Sequence, residues 1–255
     1  MLGMLKQWAA PPPRVEQPEL LDLGEGTAQE VRENLRDMGR VNRWLGGHAA
    51  LRRFLLPRLR RAARRGTPLR ILDLASGAAY TSLMLAQWAR RQGIALRIVA
   101  LDASPRHLGV ASERVRDYPE ISLLSADARG LPFPPDSFDF VISAQFLHHL
   151  GPAELMMTVR ALTTVCDGPV ILHDLVRSRA AAFLFRHGAP LFFGNRLTRH
   201  DGLVSIAQAY TPREMREILS AAGVPRARIY RQRLSYRMTV VIDPDGQPLP
   251  RGLPS

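Results

Sequence analysis

The stretch Ile71-Leu72-Asp73-Leu74-Ala75-Ser76-Gly77 decides the fold. An apolar run reaches an acidic residue and then small residues, a pattern typical of a buried parallel strand that turns directly into a helix. Small residues at such a turn let a ligand approach the backbone closely. The stretch therefore predicts a strand, a tight turn and a helix, with a ligand pocket at the carboxyl end of the strand.

The same alternation of short apolar runs and helical segments continues to residue 242. It predicts the α/β class: a doubly wound, seven-stranded, mainly parallel sheet of the Rossmann-like type. Prolines 105 and 152 occupy first-turn helix positions, and Thr211 with Glu214 forms a capping box for a helix that ends near Gly223. The predicted strands are 70–74, 96–101, 122–124, 138–143, 170–173, 228–232 and 237–242. The predicted helices between them are 78–91, 105–116 and 152–165.

The chain divides into four predicted segments. A proline-rich start predicts a loose N-terminal arm at 1–19, and a helical cap follows at 20–68, within which Pro57 is expected to kink or split a helix. The sheet domain spans 69–243 and contains an apolar insertion at 180–210. Residues 244–255, again rich in proline, are predicted to be a tail.

Composition excludes several classes of protein. The 255 residues are 46% hydrophobic and 23% charged, which is ordinary globular usage and excludes wholesale disorder or a fibrous repeat. No apolar run reaches the length of a membrane-spanning helix and no signal-peptide core follows Met1, so we expect a cytoplasmic protein, with peripheral membrane contact left open. Cys166 is the only cysteine and cannot form a thiolate metal site alone, and we expect no metal.

The formal net charge of +12 raises the question of a polyanionic partner. Lys6 is the only lysine, and so strong a preference for arginine is more simply explained by a coding bias than by a binding site. The arginine-rich helix at 52–65 is expected to be mainly a solvated face. We therefore do not expect a nucleic acid partner.

Acidic residues also follow the second and third strands, at Asp102 and Asp127. A carboxylate at the end of the second strand can accept both hydroxyls of a ribose, which indicates a nucleoside pocket. A pyrophosphate-binding turn would carry a G-x-G-x-x-G pattern, whereas this chain keeps only Gly77 there, which weakens a dehydrogenase interpretation.

Several ordered motifs resemble one enzyme family. They are Ile71 to Gly77, Leu101 to Ser104, Ala126 to Ala128, Leu131 to Ser143 and Phe146 to Leu150. Their order and spacing resemble the class I S-adenosylmethionine-dependent methyltransferases, in particular the small-molecule branch with the ubiquinone and menaquinone C-methyltransferases. The resemblance covers about residues 69 to 242 and implies the cofactor S-adenosyl-L-methionine.

The resemblance also implies roles for individual residues. Asp73 and Gly77 would hold the methionine moiety, Asp102 the ribose and Asp127 the adenine, whereas Ser143 with Gln145 would lie beside the sulfonium. Asp127 has a simpler alternative, a turn in which its carboxylate bonds a nearby amide. The implied cofactor-binding residues are Asp73, Ala75, Gly77, Asp102, Ala126, Asp127, Ala128 and Ser143.

Two alanines depart from the family pattern. Ala75 and Ala79 stand where the first motif of the family carries glycine. If either alanine adopts a positive φ, the conformation costs about 1 to 2 kcal/mol. The departure bears on cofactor affinity rather than on the fold.

Catalytic candidates are histidines and carboxylates that follow strands or the insertion. Methyl transfer mainly requires positioning, but an acceptor hydroxyl would need a base to remove its proton. Each candidate also has a structural interpretation, as a packed or solvent-exposed side chain. The candidates are His149, which follows His148, then His173 with Asp174, and His200, which precedes Asp201.

The apolar insertion bears on the acceptor. Residues 180–193 contain four phenylalanines, which form either a lid over an apolar acceptor or ordinary packing against the sheet. With a lid, the acceptor is a quinol, phenol or polyketide-like molecule methylated at oxygen or carbon. The alternatives are an RNA methyltransferase, for which the Asn/Asp-Pro-Pro-aromatic motif is missing, and a non-catalytic protein of the same fold. The oligomeric state is left open.

Overall fold

The strands of the sheet follow the apolar runs of the sequence. In the computed structural model, which describes residues 10–44, 46–244 and 246, they match the predicted strands to within about two residues. The fourth strand begins later than predicted because Phe138 forms only an isolated bridge with Cys166. The strands are β1 Leu69–Leu74, β2 Leu96–Asp102, β3 Ile121–Ser125, β4 Phe140–Ala144, β5 Val170–Leu175, β6 Arg228–Gln232 and β7 Arg237–Ile242.

The predicted seven-stranded, mainly parallel sheet is confirmed. Its strand order is β3-β2-β1-β4-β5-β7-β6, and β7 runs antiparallel to both of its neighbours. The chain order reverses direction between β1 and β4, which is where ligands bind in open α/β sheets. The carboxyl ends of β1, β2 and β4 therefore define one edge at which a site is expected.

Helices cover both faces of the sheet. The second, third and fourth helices pack on one face, and the fifth and eighth pack on the other. The helices are α1 Ala28–Trp44, α2 Gly47–Ala62, α3 Tyr80–Gln92, α4 Pro105–Val115, α5 Pro152–Val165, α6 Arg179–Phe192, α7 Arg196–Gln208 and α8 Pro212–Ala221.

The expected helix starts are present. Pro105 and Pro152 occupy the first turns of α4 and α5, and the capping box of Thr211 and Glu214 begins α8. The helix α2 runs continuously through Pro57, so this proline does not split it. The helix α3 begins two residues later than predicted because Ala79 adopts a left-handed conformation that the helix cannot include.

The N-terminal arm is not loose over the residues that the structure describes. Arg14 donates hydrogen bonds to the carbonyl oxygens of His148, Leu150 and Gln208, at 3.0, 2.9 and 2.7 Å. These contacts fasten residues 10–19 across the sheet edge although the segment has no helix or strand. Residues 1–9 of the predicted arm, and the predicted tail apart from Pro244 and Gly246, lie outside the described residues.

The apolar insertion folds as the helix pair α6 and α7. Phe185 of α6 packs against Gly202 of α7, where an added Cβ would lie 2.2 Å from the ring, so only glycine permits this contact. Of these two helices, α7 packs against the interior of the protein, whereas α6 lies on its surface. Within the part of the chain that is described, no helix is long and apolar enough to cross a membrane.

Candidate functional site

A cavity of about 710 Å³ opens at the carboxyl edge of the sheet. Cavities of roughly 300 to 1,000 Å³ hold small-molecule ligands. The loops after β1, β2 and β4 form its floor, and residues 14–22, α1 and α7 enclose it from the other side. The cavity therefore has a half over β1, β2 and β3, called here the nucleoside half, and a half between β4, α7 and the N-terminal segment, called here the acceptor half.

In the loop after β1, three alternate residues adopt the left-handed backbone conformation. Ala75, Gly77 and Ala79 have φ values of 53°, 56° and 56°. Only glycine adopts this region without cost, and each alanine costs about 1 to 2 kcal/mol. The expected strain at Ala75 and Ala79 is thus present, and it is confined to the loop that lines the nucleoside half.

Asp102 is held in place by the loop after β1 and by its own turn. Its Oδ2 accepts the N–H of Gly77 at 2.7 Å, and its Oδ1 accepts the N–H of Ser104 at 2.9 Å and lies 3.1 Å from Nδ1 of His107. Burial alone would raise the pKa of Asp102, but His107 and the two amides outweigh it and hold the pKa below its usual value. The carboxylate is therefore ionised and able to accept ribose hydroxyls.

Asp73 is a buried carboxyl group at the end of β1. Its Oδ2 accepts both the N–H of Ser82, at 3.1 Å, and the Ser82 hydroxyl, at 2.6 Å. Complete burial raises the pKa of Asp73 to about 7, and the charge of Asp102 adds to this effect. A cationic ligand group beside Asp73 would favour its ionised form.

Two residues that line the cavity each have a buried polar atom without a partner. Ser76 Oγ and Gln145 Oε1 make no hydrogen bond within the described part of the chain, and both residues line the cavity. An unpaired buried polar atom costs about 1 to 3 kcal/mol. Gln145 also has a φ of 58°, which its N–H bond to the carbonyl of His173 at 2.8 Å maintains. Unpaired polar atoms on two cavity-lining residues are consistent with a polar ligand in the nucleoside half.

The loop after β3 contributes Asp127 and Ala128 to the cavity lining. Asp127 is half exposed, and its carboxylate accepts the N–H of Arg129 at 2.9 Å and pairs with the Arg129 guanidinium at 2.7 Å. Hydrogen bonds from Arg129 lower the pKa of Asp127. The turn considered as its alternative role is therefore formed, while Asp127 still faces the cavity. Ala126 packs against the core, and its N–H donates to the carbonyl of Asp102 at 3.3 Å.

Ser143 is not among the residues that line the cavity, in contrast to its expected position. Its side chain points into the sheet, where the hydroxyl donates to the carbonyl of Leu74 at 3.0 Å. The lining is provided instead by Ala144, the last residue of β4, and by Gln145, the first residue after the strand.

His173 and Asp174 also lie outside the cavity lining. His173 is fully buried, and its Nδ1 lies 2.9 Å from Oγ1 of Thr239. Burial, reinforced by the charge of Arg237, lowers the pKa of His173 to about 3, so it cannot exchange a proton near neutral pH. Asp174 is also buried, and its Oδ1 lies 2.8 Å from Nδ1 of His148.

The structure separates the two remaining catalytic candidates. His200 is not among the cavity-lining residues, and its Nδ1 lies 2.9 Å from Oδ1 of the adjacent Asp201. His149 does line the cavity, and its Nδ1 lies 3.1 Å from Oδ2 of Asp22. Of the four candidates, His149 is thus the residue that reaches the cavity directly.

The acceptor half contains a buried ionic network. His148 lies with Nδ1 2.8 Å from Oδ1 of Asp174 and Nε2 3.6 Å from Oε1 of Glu19. Burial alone would lower the pKa of His148, but the two carboxylates outweigh it and raise the pKa to about 10. Glu19 also accepts the hydroxyl of Ser205. This network joins β5, the loop after β4, the N-terminal segment and α7.

The methyltransferase-domain family matches residues 71–167, the segment from β1 to the end of α5 that builds the nucleoside half. This segment of the chain is therefore similar to a methyltransferase domain. The motifs quoted from the sequence lie within this segment, in the order in which the methyltransferase fold uses them. The resemblance seen in the sequence is thereby confirmed.

Curated relatives of the methyltransferase domain include two that are named for quinones. Over 121 residues the chain is 39% identical to the 2-phytyl-1,4-naphtoquinone methyltransferase of Thermosynechococcus vestitus. This match covers 46% of each chain. Over 124 residues it is 38% identical to the demethylmenaquinone methyltransferase of Bacillus velezensis, which covers 48% of this chain and 51% of the relative. The chain thus spans about half the length of these relatives.

Solved structures confirm the fold of the methyltransferase domain. A SAM-dependent methyltransferase from Aquifex aeolicus superposes with a TM-score of 0.55 at 16% identity, covering 85% of this chain and 98% of the other. Magnesium protoporphyrin IX methyltransferase from Synechocystis PCC 6803 was solved with bound SAH. It superposes with a TM-score of 0.53 at 20% identity, and the match covers 85% of this chain and 88% of the other. At these identities the likeness establishes the fold alone.

Four residues beside the methyltransferase domain had no signal in the sequence. Arg14, Glu19 and Asp22 come from the segment interpreted as an arm and the start of the cap, and Ser205 comes from the insertion. Arg14, Glu19 and Asp22 contact His148 or His149 from more than 120 positions away in the sequence. Ser205 joins them through its hydrogen bond to Glu19.

Proposed function

We propose that the chain transfers a methyl group from S-adenosylmethionine to an oxygen or carbon atom of an aromatic or lipophilic small molecule. The observation that carries the proposal is Asp102, held ionised by Gly77 and Ser104 at the end of β2. The quinones in the names of two curated relatives support a quinol or phenol as the acceptor.

The nucleoside half has suitable groups for each part of the cofactor. Asp102 would accept the ribose hydroxyls, Asp73 would take the ammonium group of the methionine moiety, and Asp127 would meet the adenine amino group. The unpaired Ser76 Oγ and Gln145 Oε1 supply further polar contacts. When bound, S-adenosylmethionine supplies an electrophilic methyl group on a sulfonium.

The acceptor half would orient the acceptor and exclude water. Arg14 fastens the N-terminal segment over the cavity, and α7 closes the same side. His149, Glu19 and Asp22 face this half and offer hydrogen bonds to a phenolic hydroxyl. Positioning of this kind supplies much of the rate enhancement in a displacement reaction.

We propose the helix α6 as an entry surface for lipophilic acceptors. The cavity is lined by residues of α7, whereas no residue of the phenylalanine-bearing helix α6 is among its lining. Its side chains Leu191 and Phe192 are 81% and 70% exposed. Exposed apolar side chains on one helix mark a contact surface for an apolar partner.

A double substitution tests this surface. Leu191→Ser with Phe192→Ser should raise the KM for a lipophilic acceptor by roughly tenfold, because two apolar contacts are lost, while cofactor affinity is unchanged. Met157→Ser on α5 is the matched control, because Met157 is also an exposed apolar residue, 65% exposed, on a different face. An equal KM for the double variant and the control would contradict the entry surface.

A methyl-transfer assay tests the function itself. The protein is incubated with methyl-labelled S-adenosylmethionine and either a demethylated naphthohydroquinone or total RNA. We expect label in the organic extract and none in RNA, and we expect Asp102→Ala to abolish the transfer. Glu217→Ala, which removes an exposed ion pair with Arg213, should leave it intact. Label in RNA, or cofactor binding without transfer to any phenol or quinol, would contradict the proposal.

A further inference from the structure

Two imidazole rings of the acceptor half converge on one carboxylate oxygen. Nε2 of His148 lies 3.6 Å from Oε1 of Glu19, and Nε2 of His149 lies 3.9 Å from the same atom. The two rings are tilted neighbours whose centroids lie 4.4 Å apart. One nitrogen from each ring and one carboxylate oxygen all lie within 4.8 Å of one another.

The opposite nitrogen of each ring faces a carboxylate. Nδ1 of His148 lies 2.8 Å from Asp174, and Nδ1 of His149 lies 3.1 Å from Asp22. A carboxylate at Nδ1 keeps a proton on that nitrogen, so that in the neutral ring Nε2 carries the lone pair that a metal ion can take. Histidines that bind metals nearly always have such an orienting partner.

The two distances from Oε1 of Glu19 are close to the ligand spacing around a tetrahedral ion. Ligands about 2.0 to 2.1 Å from a tetrahedral zinc ion lie about 3.4 Å from one another. The two measured separations from Glu19 exceed this value by a few tenths of an ångström, a difference that side-chain rotation can remove. A network joined only by direct hydrogen bonds would instead require Nε2 and Oε1 within about 3.2 Å.

The charges of the cluster also permit a dication. Three carboxylates, from Glu19, Asp22 and Asp174, surround the two rings. A divalent ion bound between the rings would offset two of these three negative charges.

We propose that Glu19, His148 and His149 bind a divalent zinc-like ion through Oε1 and the two Nε2 atoms. Glu19 and His149 line the cavity, so the fourth ligand comes from the cavity side, as in zinc sites that keep one position for water or substrate. That ligand is an oxygen of water or of the methyl acceptor; the acceptor as ligand rests on the proposed function, whereas the ion itself does not.

This site departs from the expectation of no metal, which was based on the single cysteine. The proposed ligands are nitrogen and oxygen atoms, so no thiolate is needed. Glu19 and His148 come from segments more than 120 residues apart, and no ligand spacing in the sequence could reveal the pair.

Zinc titration of the full chain tests the site. The chelator-treated protein is titrated with zinc chloride, and the bound metal is measured by elemental analysis. We expect one zinc ion per chain, an affinity reduced at least about tenfold by His149→Ala, and an affinity reduced roughly 10- to 100-fold by Asp22→Asn. The matched control is His200→Ala, because His200 also pairs with an aspartate but lies outside the cluster, and it should bind zinc like the wild type.

Cobalt provides a second readout of the ligands. The cobalt-substituted protein should show the intense visible absorption of tetrahedral Co²⁺, which His149→Ala removes. Binding of S-adenosylhomocysteine is measured on every variant, because retained binding shows that the variant is folded and that the cofactor site is intact. Less than one zinc per chain in the wild type, or equal zinc affinity in wild type and His149→Ala, would overturn the metal site in favour of a purely ionic network.

Discussion

The two halves of the cavity are built in different ways. The nucleoside half uses Asp73, Asp102 and Asp127, which follow three neighbouring strands within 55 residues of sequence. The acceptor half joins Glu19 to Ser205 and to His148, across most of the chain length. The comparison teaches that a parallel sheet brings local motifs together at one edge, whereas the acceptor surface depends on long-range packing.

The largest expected loss of stability comes from a substitution in the acceptor half. Asp174→Ala leaves the buried His148 ring without its nearest carboxylate and should lower the free energy of unfolding by about 3 to 5 kcal/mol. Asp127→Ala in the nucleoside half is the control, because its exposed pair with Arg129 contributes about 0 to 1 kcal/mol. Urea denaturation measures both values, and similar losses in the two variants would show that the acceptor half does not depend on this network.

A pH-dependent effect of comparable size is expected in the nucleoside half. The pKa of Asp73 is raised by burial to about 7 in the folded protein from about 3.8 when unfolded. The folded state therefore binds more protons between pH 4 and 7, and the wild type loses about 1.4 kcal/mol of stability per pH unit as the pH rises through that interval.

The variant Asp73→Asn cannot ionise and should not show this loss. Its stability relative to the wild type should increase from pH 4 to 7 and stay constant above 7, while its cofactor affinity falls because the charge for the ammonium group is gone. Thermal denaturation across this pH range is the measurement. A stability difference that does not vary with pH would mean that Asp73 is already ionised at pH 4.

The smallest expected changes in stability come from substitutions in the strained loop after β1. Ala75→Gly should raise the free energy of unfolding by up to about 1 kcal/mol, because relief of the strain at the positive φ exceeds the entropy cost of glycine. Gly77→Ala should lower the free energy of unfolding by a similar amount. The residue has a φ of 56°, although there is open space around the new methyl group. Ala79→Gly is expected to be near neutral, because its fully buried methyl group also contributes to packing. Urea denaturation that ranks these three variants differently would contradict the strain.

Much of the nucleoside half could be predicted because its information is local. The apolar runs give the strands, and the acidic residues at their ends give Asp102 and Asp73. Ser143 was wrongly placed in the cavity, which is lined instead by Ala144 and Gln145 at the end of β4. Ser143 lies one residue inside the strand, where its hydroxyl bonds the carbonyl of Leu74.

The acceptor half could not be predicted for a physical reason. Glu19 lies in a segment without helix or strand, so no periodicity indicates that it is buried. Its burial results from Arg14, whose hydrogen bonds to His148 and Leu150 draw the segment across the sheet edge. Likewise, His173 resembles a catalytic residue by position, and only the packing of β7 shows that it is enclosed.

Calorimetric titration with S-adenosylhomocysteine tests the division of the cavity most directly. Three proteins are compared: the wild type, Asp102→Ala in the nucleoside half and His149→Ala in the acceptor half. We expect Asp102→Ala to weaken binding at least about tenfold, or about 1.4 kcal/mol, and His149→Ala to stay within about twofold of the wild type. Unchanged binding by Asp102→Ala, or an equal loss in both variants, would contradict the assignment of the two halves.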